Sequence, residues 1–149
     1  MAKYDNPSWF TSKIGNPAIA LLVKLGFSPA GAHLLAVRGR KSGEWRTTPI
    51  NPLEHEGGRY LVAPRGETEW VRNIRAAGGG ELRLGSKREA IQAVELADDD
   101  KPALIRAYLK RWRKETGAFF DNIRDDAPDE EYRQIAPDHP TFRITATDA

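Results

Sequence analysis

A short basic segment between two glycines contains the residues of this sequence that are best suited to chemistry. It reads Gly39-Arg40-Lys41-Ser42-Gly43, and Arg46 follows three residues later. A glycine-bounded loop can bring backbone N–H groups close to an anion, and two cations and a hydroxyl add charge-assisted hydrogen bonds to phosphate or carboxylate oxygens. A solvated hairpin turn explains the same composition equally well. The segment is not a P-loop, because Arg40 stands where that motif requires glycine.

Two stretches further along the chain form a second candidate. Arg65 follows a predicted strand in the run Pro64-Arg65-Gly66, where the rim of a pocket would lie, and Arg72 and Arg75 stand on a predicted helix. A tryptophan such as Trp70 is found in a core more often than against a ligand. Charged helix residues face water by default, so these arginines either line the same site or are solvated.

The residue types that the chain lacks exclude several kinds of chemistry. It has no cysteine, which excludes disulfides, thiolate nucleophiles, zinc fingers and iron–sulfur clusters. His33, His55 and His139 form no HxH or HExxH pattern, and no GxSxG elbow is present. We therefore expect no metal site and assign no catalytic side chain, although a Ser–His–Asp triad assembled by the fold stays open.

Length and composition predict one globular domain over residues 1–149, with residues 1–32 as an N-terminal arm or helix. The chain has a mass of 16.6 kDa, and hydrophobic residues make up 40% of it, which is enough for a core. No run of about 18 apolar residues is present, so no transmembrane helix is expected. The start, MAKYDNPSWFTSK, lacks an apolar signal core, so we expect a cytoplasmic protein.

The charge of the chain is small in sum but uneven in distribution. The formal net charge is +2, which does not favour a nucleic-acid binder. Four basic residues and one acid lie between Arg38 and Arg46, whereas six acids and one arginine lie between Asp121 and Glu131. The basic run KRWRK at 110–114 fits a helix end, where cations complement the dipole. The distribution leaves open what the basic end of the chain binds.

The elements that must position these residues begin with a helix predicted at 16–26, where Asn16-Pro17 can start a helix and Gly26 can end it. Strands are predicted at 33–38, 46–53 and 59–64, with a turn at 54–58. Pro49 and Pro52 interrupt the second strand, so it should be irregular, bulged or at a sheet edge. The short connections predict that these three strands form an antiparallel meander.

The second half of the chain is predicted to alternate helices and strands. Helices are expected at 67–77 and 101–115, the second capped by residues 98–100, with a helical turn at 127–135. Strands are expected at 81–84, 89–96 and 141–146, and the run Gly78-Gly79-Gly80 should end the first of these helices. This order predicts an α+β barrel or sandwich rather than a parallel sheet.

Three strings in this order carry a family resemblance: GRKSGEWRTTPIN, RYLVAPRG and EWVRNIRA. Together they resemble the deazaflavin-dependent nitroreductase family of actinobacteria from about Arg38 to Leu96, more weakly in the following helix and in DHPTFRI. The resemblance implies an α+β split β-barrel, similar to the FMN-binding split barrels, with antiparallel strands and flanking helices. It also implies coenzyme F-420 as the cofactor, a deazaflavin with a phosphodiester and an oligoglutamate tail.

The same resemblance implies where the cofactor would bind. Residues 40–42 would contact the tail and phosphate, residues 46–51 would run under the tail and ring, and residues 62–65 would form the far wall of the ring site. Residues 69–73 would close the phosphate side at a helix start, where the dipole favours anions. The full set is Arg40, Lys41, Ser42, Arg46, Thr47, Thr48, Pro49, Ile50, Asn51, Val62, Ala63, Pro64, Arg65, Glu69, Trp70, Val71, Arg72 and Asn73.

The chemistry that the resemblance implies is hydride transfer from reduced deazaflavin to a quinone, an activated enone or a nitroaromatic compound. Arg65 would stabilise negative charge near the pyrimidine end of the ring. Better-known relatives present tyrosines after the long helix, whereas this chain has Phe119 and Phe120, which cannot donate a proton. This departure favours a quinone or enone reductase that takes protons from water, and whether the two phenylalanines line the acceptor pocket stays open.

Three other functions stay open at this stage. A non-catalytic protein that carries deazaflavin or a lipid-like ligand would share the cofactor-binding residues, and an FMN enzyme would also use the basic loop. A nucleic-acid module would show salt-sensitive binding.

We expect a small electrophilic acceptor and no nucleic acid as partners. Weak membrane contact through residues 18–27 is an option, although core packing is favoured, and the oligomeric state is open, a homodimer included.

Overall fold

The computed structural model describes residues 33–147, so the predicted arm, the helix at 16–26 and the apolar stretch at 18–27 lie outside the described residues. Within that range the α-helices and strands follow one another in the order β1 (His33–Arg38), β2 (Trp45–Ile50), β3 (Leu53–His55), β4 (Gly58–Val62), α1 (Glu69–Ala77), β5 (Gly79–Leu84), β6 (Lys87–Glu95), α2 (Pro102–Thr116), α3 (Asp129–Ile135) and β7 (Thr141–Ala146). Short 3-10 turns at Asp98–Asp100, Gly117–Phe120 and Ala136–Asp138 complete the connections.

All seven of these strands belong to one antiparallel sheet with the order β2-β1-β5-β6-β7-β4-β3. The two edge strands, β2 and β3, are consecutive in the chain, and only Asn51 and Pro52 separate them. The Cα atoms of Ile50 and Leu53 therefore lie at most about 11 Å apart. The sheet must curl until its edges approach each other, and it forms the α+β split barrel that the sequence predicted.

The proline-interrupted stretch is the main correction to the predicted strands. Residues 46–53 were expected to form one strand of a meander, but they form β2 and β3 at opposite edges of the sheet. The meander is therefore wrong, because β2 pairs with β1 and β3 pairs with β4. The expected edge position of the prolines is confirmed for Pro49, which lies in β2, and Pro52 lies in the connection between the two edges.

The three consecutive glycines have separate functions. Gly78 ends α1 in the left-handed region, with φ 78°, and its N–H donates to the carbonyl oxygen of Ile74. Gly79 and Gly80 already belong to β5, two residues before the predicted strand start. A Cβ at either position would overlap a carbonyl oxygen of a neighbouring strand, that of Ile91 or Ala36. Glycine therefore permits the close approach of β5 to both neighbours.

One face of the curled sheet surrounds the inner core. Because residues directly opposite each other in antiparallel strands share a face, the register places Leu35, Leu82, Ile91 and Ile144 on the same side. Side chains from six strands meet in one cluster there, as only a concave face allows. Two residues of α1 complete this inner cluster, which consists of Leu35, Val37, Ile50, Leu61, Ala63, Val71, Ile74, Leu82, Ile91, Phe142 and Ile144.

The opposite face of β3 and β4 is covered by α2, the 3-10 turn after it and α3. Leu53 and Val62 pack there against Leu109, Trp112 and Tyr132. This outer cluster also contains Phe120, which is 0% exposed, whereas Phe119 packs against the cluster and is only partly buried. Phe120 therefore lies in the core, and it does not line an open pocket. Of the helices in the described range, none is long and apolar enough to cross a membrane.

The predicted cap of the long helix is wrong. Residues Asp98–Asp100 form a 3-10 turn, and Lys101 occupies the cap position without a side-chain capping hydrogen bond. The Lys101 ammonium is buried and donates to an Asp98 carboxylate oxygen at 2.7 Å and to the Ala136 carbonyl oxygen at 3.1 Å. The acidic run therefore contributes a partner for a buried lysine, which the helix-cap pattern did not indicate.

Candidate functional site

The basic loop, residues 39–44, is a tight turn between β1 and β2. The Gly39 N–H donates to the Glu44 carbonyl oxygen at 2.8 Å, and the Gly43 N–H donates to the Gly39 carbonyl oxygen at 2.8 Å. The Ser42 hydroxyl oxygen accepts a hydrogen bond from the Glu44 N–H at 3.2 Å. Gly43 has φ 74°, a value that favours glycine. Hydrogen bonds within the loop therefore set its shape.

Arg40 attaches this loop to α1. Its backbone N–H donates to the side-chain oxygen of Asn73 at 3.1 Å, and its Nη1 donates to the same oxygen at 2.8 Å. Nη1 also contacts a carboxylate oxygen of Glu69 at 2.6 Å. Asn73 is buried, and Val71 and Ile74 hold the helix against the inner cluster. The fold thus brings together the loop and the helix that the resemblance assigned to one site.

Several cations surround the first turn of α1. The hydrogen bond from Arg40 holds the pKa of the Glu69 carboxyl below its ordinary value, and desolvation by burial opposes this decrease. The charges of Arg40, Arg72 and Lys41 lower this pKa further. Glu69 is therefore ionised at neutral pH and compensates part of the positive charge, while Arg40 is already engaged by two partners.

The remaining cations of this region are exposed. Lys41, Arg46 and Arg72 form no ion pair with another residue of the range 33–147. The Arg46 side chain lies beside the loop, since a Cβ on Gly39 would be 3.7 Å from Arg46 Cγ. We refer to Arg40, Lys41, Arg46 and Arg72 as the cationic rim. Arg75 is not part of it, because its guanidinium binds the carboxylates of Glu67 and Glu95.

Thr68, directly before α1, adds an unsatisfied polar group to this region. It is the cap residue of the helix, yet its side chain makes no capping hydrogen bond. Its hydroxyl oxygen is buried and has no hydrogen-bond partner within the described part of the chain. A helix N-terminus favours an anion through its free N–H groups and its dipole. Together with the exposed cations, this arrangement fits a ligand that carries phosphate and carboxylate groups.

The predicted residues of β2 are divided between the two faces of the sheet. Arg46 and Thr48 lie opposite Val37 and Leu35, which places their side chains on the inner face, and Ile50 belongs to the inner cluster. Thr47 and Pro49 alternate with them and point to the outer face. Side chains of only half of this strand are therefore available to a ligand on the inner face.

Asn51 is held toward the helical layer, which consists of α2, the 3-10 turn at Gly117–Phe120 and α3. The Tyr108 hydroxyl on α2 forms hydrogen bonds with the side chains of Asn51 and Thr116. Complete burial raises the pKa of Tyr108 to about 12, although both hydrogen bonds oppose this increase. Asn51 therefore connects the passage between the two sheet edges to α2. Nothing in the sequence pattern indicated Tyr108, which occupies an ordinary core position of an amphipathic helix.

The predicted wall, residues 62–65, has members on both faces as well. Val62 lies in the outer cluster and Ala63 in the inner cluster, and both are fully buried. Pro64 and Arg65 are half-buried in the turn that leads to α1. Arg65 also takes part in an interaction within the protein. Of these four, Pro64 and Arg65 are the residues with side-chain surface available for a ligand.

The two remaining predicted residues lie at the start of α1. Trp70 is half-buried against the inner cluster, and its ring centroid lies 5.9 Å from that of Phe142. Val71 is fully buried in the same cluster, so its side chain belongs to the core. The sequence did not single out Thr68, although threonine immediately before a helix is a typical cap residue.

A family profile identifies the chain. The profile of the F420H₂-dependent quinone reductase family matches residues 6–135, which is most of the sequence. The protein belongs to this family. It is therefore an oxidoreductase whose cofactor is coenzyme F-420, and the expected enzyme class and cofactor are confirmed. No protein sequence of curated function matches the chain significantly.

Solved structures agree with this assignment at the level of the fold. A structure of an F420-H2-dependent reductase (FDR-A) has a TM-score of 0.54 and 19% identity, covering 77% of this chain and 94% of the other. A structure described as a domain-swapped dimer has a TM-score of 0.56 and 16% identity, with coverages of 87% and 95%. A putative pyridoxamine 5′-phosphate oxidase from Listeria innocua has a TM-score of 0.51 and 11% identity, covering 89% and 93%.

Proposed function

We propose that this protein uses reduced coenzyme F-420 to reduce a quinone or an activated enone, and that a quinone is its principal acceptor. The observation that carries the proposal is the cationic rim. Its exposed cations Lys41 and Arg72 lie near Glu69 in the first turn of α1, Arg46 lies beside the basic loop, and none of the three has an ion pair in the described range. The family description supports a quinone as the acceptor. Nitroaromatic compounds are the weaker candidates, because Phe119 and Phe120 stand where tyrosines are expected.

The residues of the rim have different parts in this proposal. Lys41, Arg46 and Arg72 bind the phosphate and carboxylate groups of the cofactor tail, because charge-assisted hydrogen bonds from exposed cations suit these oxygens. Arg40 keeps the loop on α1 and compensates the charge of Glu69, which would otherwise repel an anionic tail. The bound cofactor supplies the hydride. Arg65 stabilises negative charge at the ring from the end of β4.

Water is the proton source that we propose for the product. The Tyr108 hydroxyl is fully buried, its pKa is raised to about 12, and its hydrogen bonds are made with Asn51 and Thr116. A group with these properties is a poor proton donor at neutral pH. Phe120 is buried in the outer cluster and has no proton to give. The chain therefore contributes binding and orientation, and solvent completes the reaction.

The experiment is a titration of the purified protein with oxidised coenzyme F-420 and, separately, with FMN. We expect tighter binding of the deazaflavin, because FMN lacks the oligoglutamate tail. Turnover is then measured with reduced coenzyme F-420 and either menadione or a cyclohexenone. FMN binding that equals or exceeds deazaflavin binding would contradict the proposal. Tight deazaflavin binding without oxidation by a broad acceptor panel would instead support a non-catalytic carrier.

We also propose a homodimer in the cytoplasm and a single domain over residues 1–149. The dimer is supported by the neighbour whose structure is described as domain-swapped, and light scattering on the purified protein tests it. A monomer across the micromolar range would contradict it. Weak membrane contact through residues 18–27, which lie outside the described residues, is tested by sedimentation with anionic vesicles.

A further inference from the structure

The end of β4 is paired with the residue that precedes β7. The register pairs Val62 with Thr141, so the next pair along the ladder is Ala63 with Pro140. The Ala63 N–H donates to the Pro140 carbonyl oxygen at 2.9 Å, as expected for a hydrogen-bonded pair of an antiparallel ladder. In such a pair, the N–H of the second residue normally returns a bond to the first carbonyl.

Pro140 cannot return that bond, because proline has no backbone N–H. The Nδ1 atom of His139 lies 3.0 Å from the Ala63 carbonyl oxygen and takes the place of the missing donor. A carbonyl oxygen only accepts, so Nδ1 must carry the proton in this contact. The Gly66 N–H approaches the same oxygen at 3.4 Å, which makes His139 the closer of the two donors.

The imidazole of His139 is itself held firmly. The residue is 1% exposed, and its ring stacks on Phe120 with centroids 4.0 Å apart and an angle of 21° between the planes. Its carbonyl oxygen accepts a hydrogen bond from the Thr141 hydroxyl at 3.0 Å. Backbone and ring are thus both fixed, so the donor has little freedom to leave Ala63.

We propose that His139 is a positioning residue for the cofactor wall, in which its Nδ1–H replaces the donor that Pro140 lacks and fixes residues 63–65. The inference rests on the proposed function, in which this wall faces the deazaflavin ring. Without the His139 contact, the Ala63 carbonyl keeps only the longer bond from Gly66. Arg65, two residues further on, would then lose the fixed backbone that directs its guanidinium.

Three variants separate the hydrogen bond from the packing. His139→Phe keeps a ring against Phe120 but removes the donor. His139→Asn removes the ring but places an amide N–H close to the former Nδ1 position. Adding Pro140→Ala to His139→Phe restores a backbone N–H opposite Ala63. The readouts are the Kd for oxidised coenzyme F-420, the hydrogen exchange of the Ala63 and Gly66 amides without cofactor, and the thermal midpoint.

We expect His139→Phe to weaken deazaflavin binding about fivefold and to speed exchange at Ala63 and Gly66 by at least about tenfold, since one buried hydrogen bond is lost. We expect His139→Asn to stay within about twofold of the wild type in affinity, even if its thermal midpoint falls. Addition of Pro140→Ala should recover the affinity of His139→Phe.

Two results would overturn the inference while leaving the proposed function intact. One is a His139→Phe variant that binds and exchanges like the wild type. The other is a loss of affinity that His139→Asn shares and that Pro140→Ala does not recover, because packing alone would then explain it. A wild-type protein that does not bind the deazaflavin overturns the proposed function itself, and this inference with it.

Discussion

The helical layer and the cationic rim differ in whether their cations have partners within the protein. In the layer, Lys101 is buried with an aspartate and a carbonyl oxygen as partners, and Arg106 donates to Asp129 and to two carbonyl oxygens. At the rim, Lys41 and Arg72 are exposed and have no ion-pair partner within residues 33–147. Both regions are rich in cations, so composition alone does not distinguish them.

The difference shows which region stabilises the fold and which one binds. A buried charge without a partner costs several kcal/mol, and the partners of Lys101 and Arg106 within the layer avoid that cost. An exposed cation costs little and remains free to attract an anion. Changes in the layer should therefore alter stability, whereas changes at the rim should alter binding. Three variants test this comparison, beginning with the largest expected effect.

Replacement of Trp112 by alanine should have the largest effect. Trp112 is 1% exposed, and its ring centroid lies 4.9 Å from that of Tyr108 in the outer cluster. Loss of a buried tryptophan should reduce the free energy of unfolding by about 3–5 kcal/mol in urea titrations. Lys110→Ala, an exposed change on the same helix, is the control and should stay within about 0.5 kcal/mol. A Trp112→Ala protein as stable as this control would refute the assignment of the layer.

Tyr108→Phe should have a smaller effect, and one that depends on pH. Since the folded protein keeps Tyr108 neutral to about pH 12, ionisation of the unfolded chain above pH 10 reduces stability. Below pH 10 the hydroxyl contributes fully to the free energy of unfolding, and this contribution is lost as the pH rises through 12. The stability of the wild type relative to Tyr108→Phe should therefore fall by roughly 2–3 kcal/mol over that interval. Unfolding curves of both proteins measure it, and a constant difference would contradict the prediction.

The combined change Lys41→Ala and Arg72→Ala should have the smallest effect on free energy, and it should act on binding alone. We expect a Kd for oxidised coenzyme F-420 at least about tenfold higher, which corresponds to a loss of about 1.4 kcal/mol of binding free energy. Binding should also depend less on salt concentration, and the free energy of unfolding should change little. Arg40 is left intact, because its loss would also free the loop from α1. Lys110→Ala with Lys114→Ala removes the same charge from α2. Equal losses in both double variants would mean that net charge, rather than the rim, attracts the cofactor.

Much of the fold could be predicted from local patterns. The strands at 33–38 and 141–146 were predicted to the residue, and Trp70, Val71 and Ile74 indicated α1 through their helical spacing. The division of residues 46–53 was not predictable in this way. Whether an extended stretch pairs on one side or crosses to the other edge depends on the curl of the whole sheet. Local propensity does not contain that information.

The same distinction between local patterns and tertiary structure applies to the candidate site. The resemblance indicated which segments meet, and the contact of Arg40 with Glu69 and Asn73 agrees with it. The division of residues 46–50 between two faces, and the burial of Val62 and Val71, come from strand register and tertiary packing. The hydrogen bond from His139 to Ala63 joins residues 76 positions apart. A bond at that separation has no local sequence signal, although a proline at a strand end does indicate that a ladder donor is missing.

The composition and length of the two edge strands affect how another chain could pair with the sheet. An exposed edge strand is a template on which another chain can add a strand and begin aggregation. Here one edge, β2, is interrupted by Pro49 and carries Arg46, and the other, β3, is only three residues long. Neither edge presents a long row of backbone groups to a second molecule. The proline-rich connection that made this region hard to predict thereby also limits the length of edge strand with which another chain could pair.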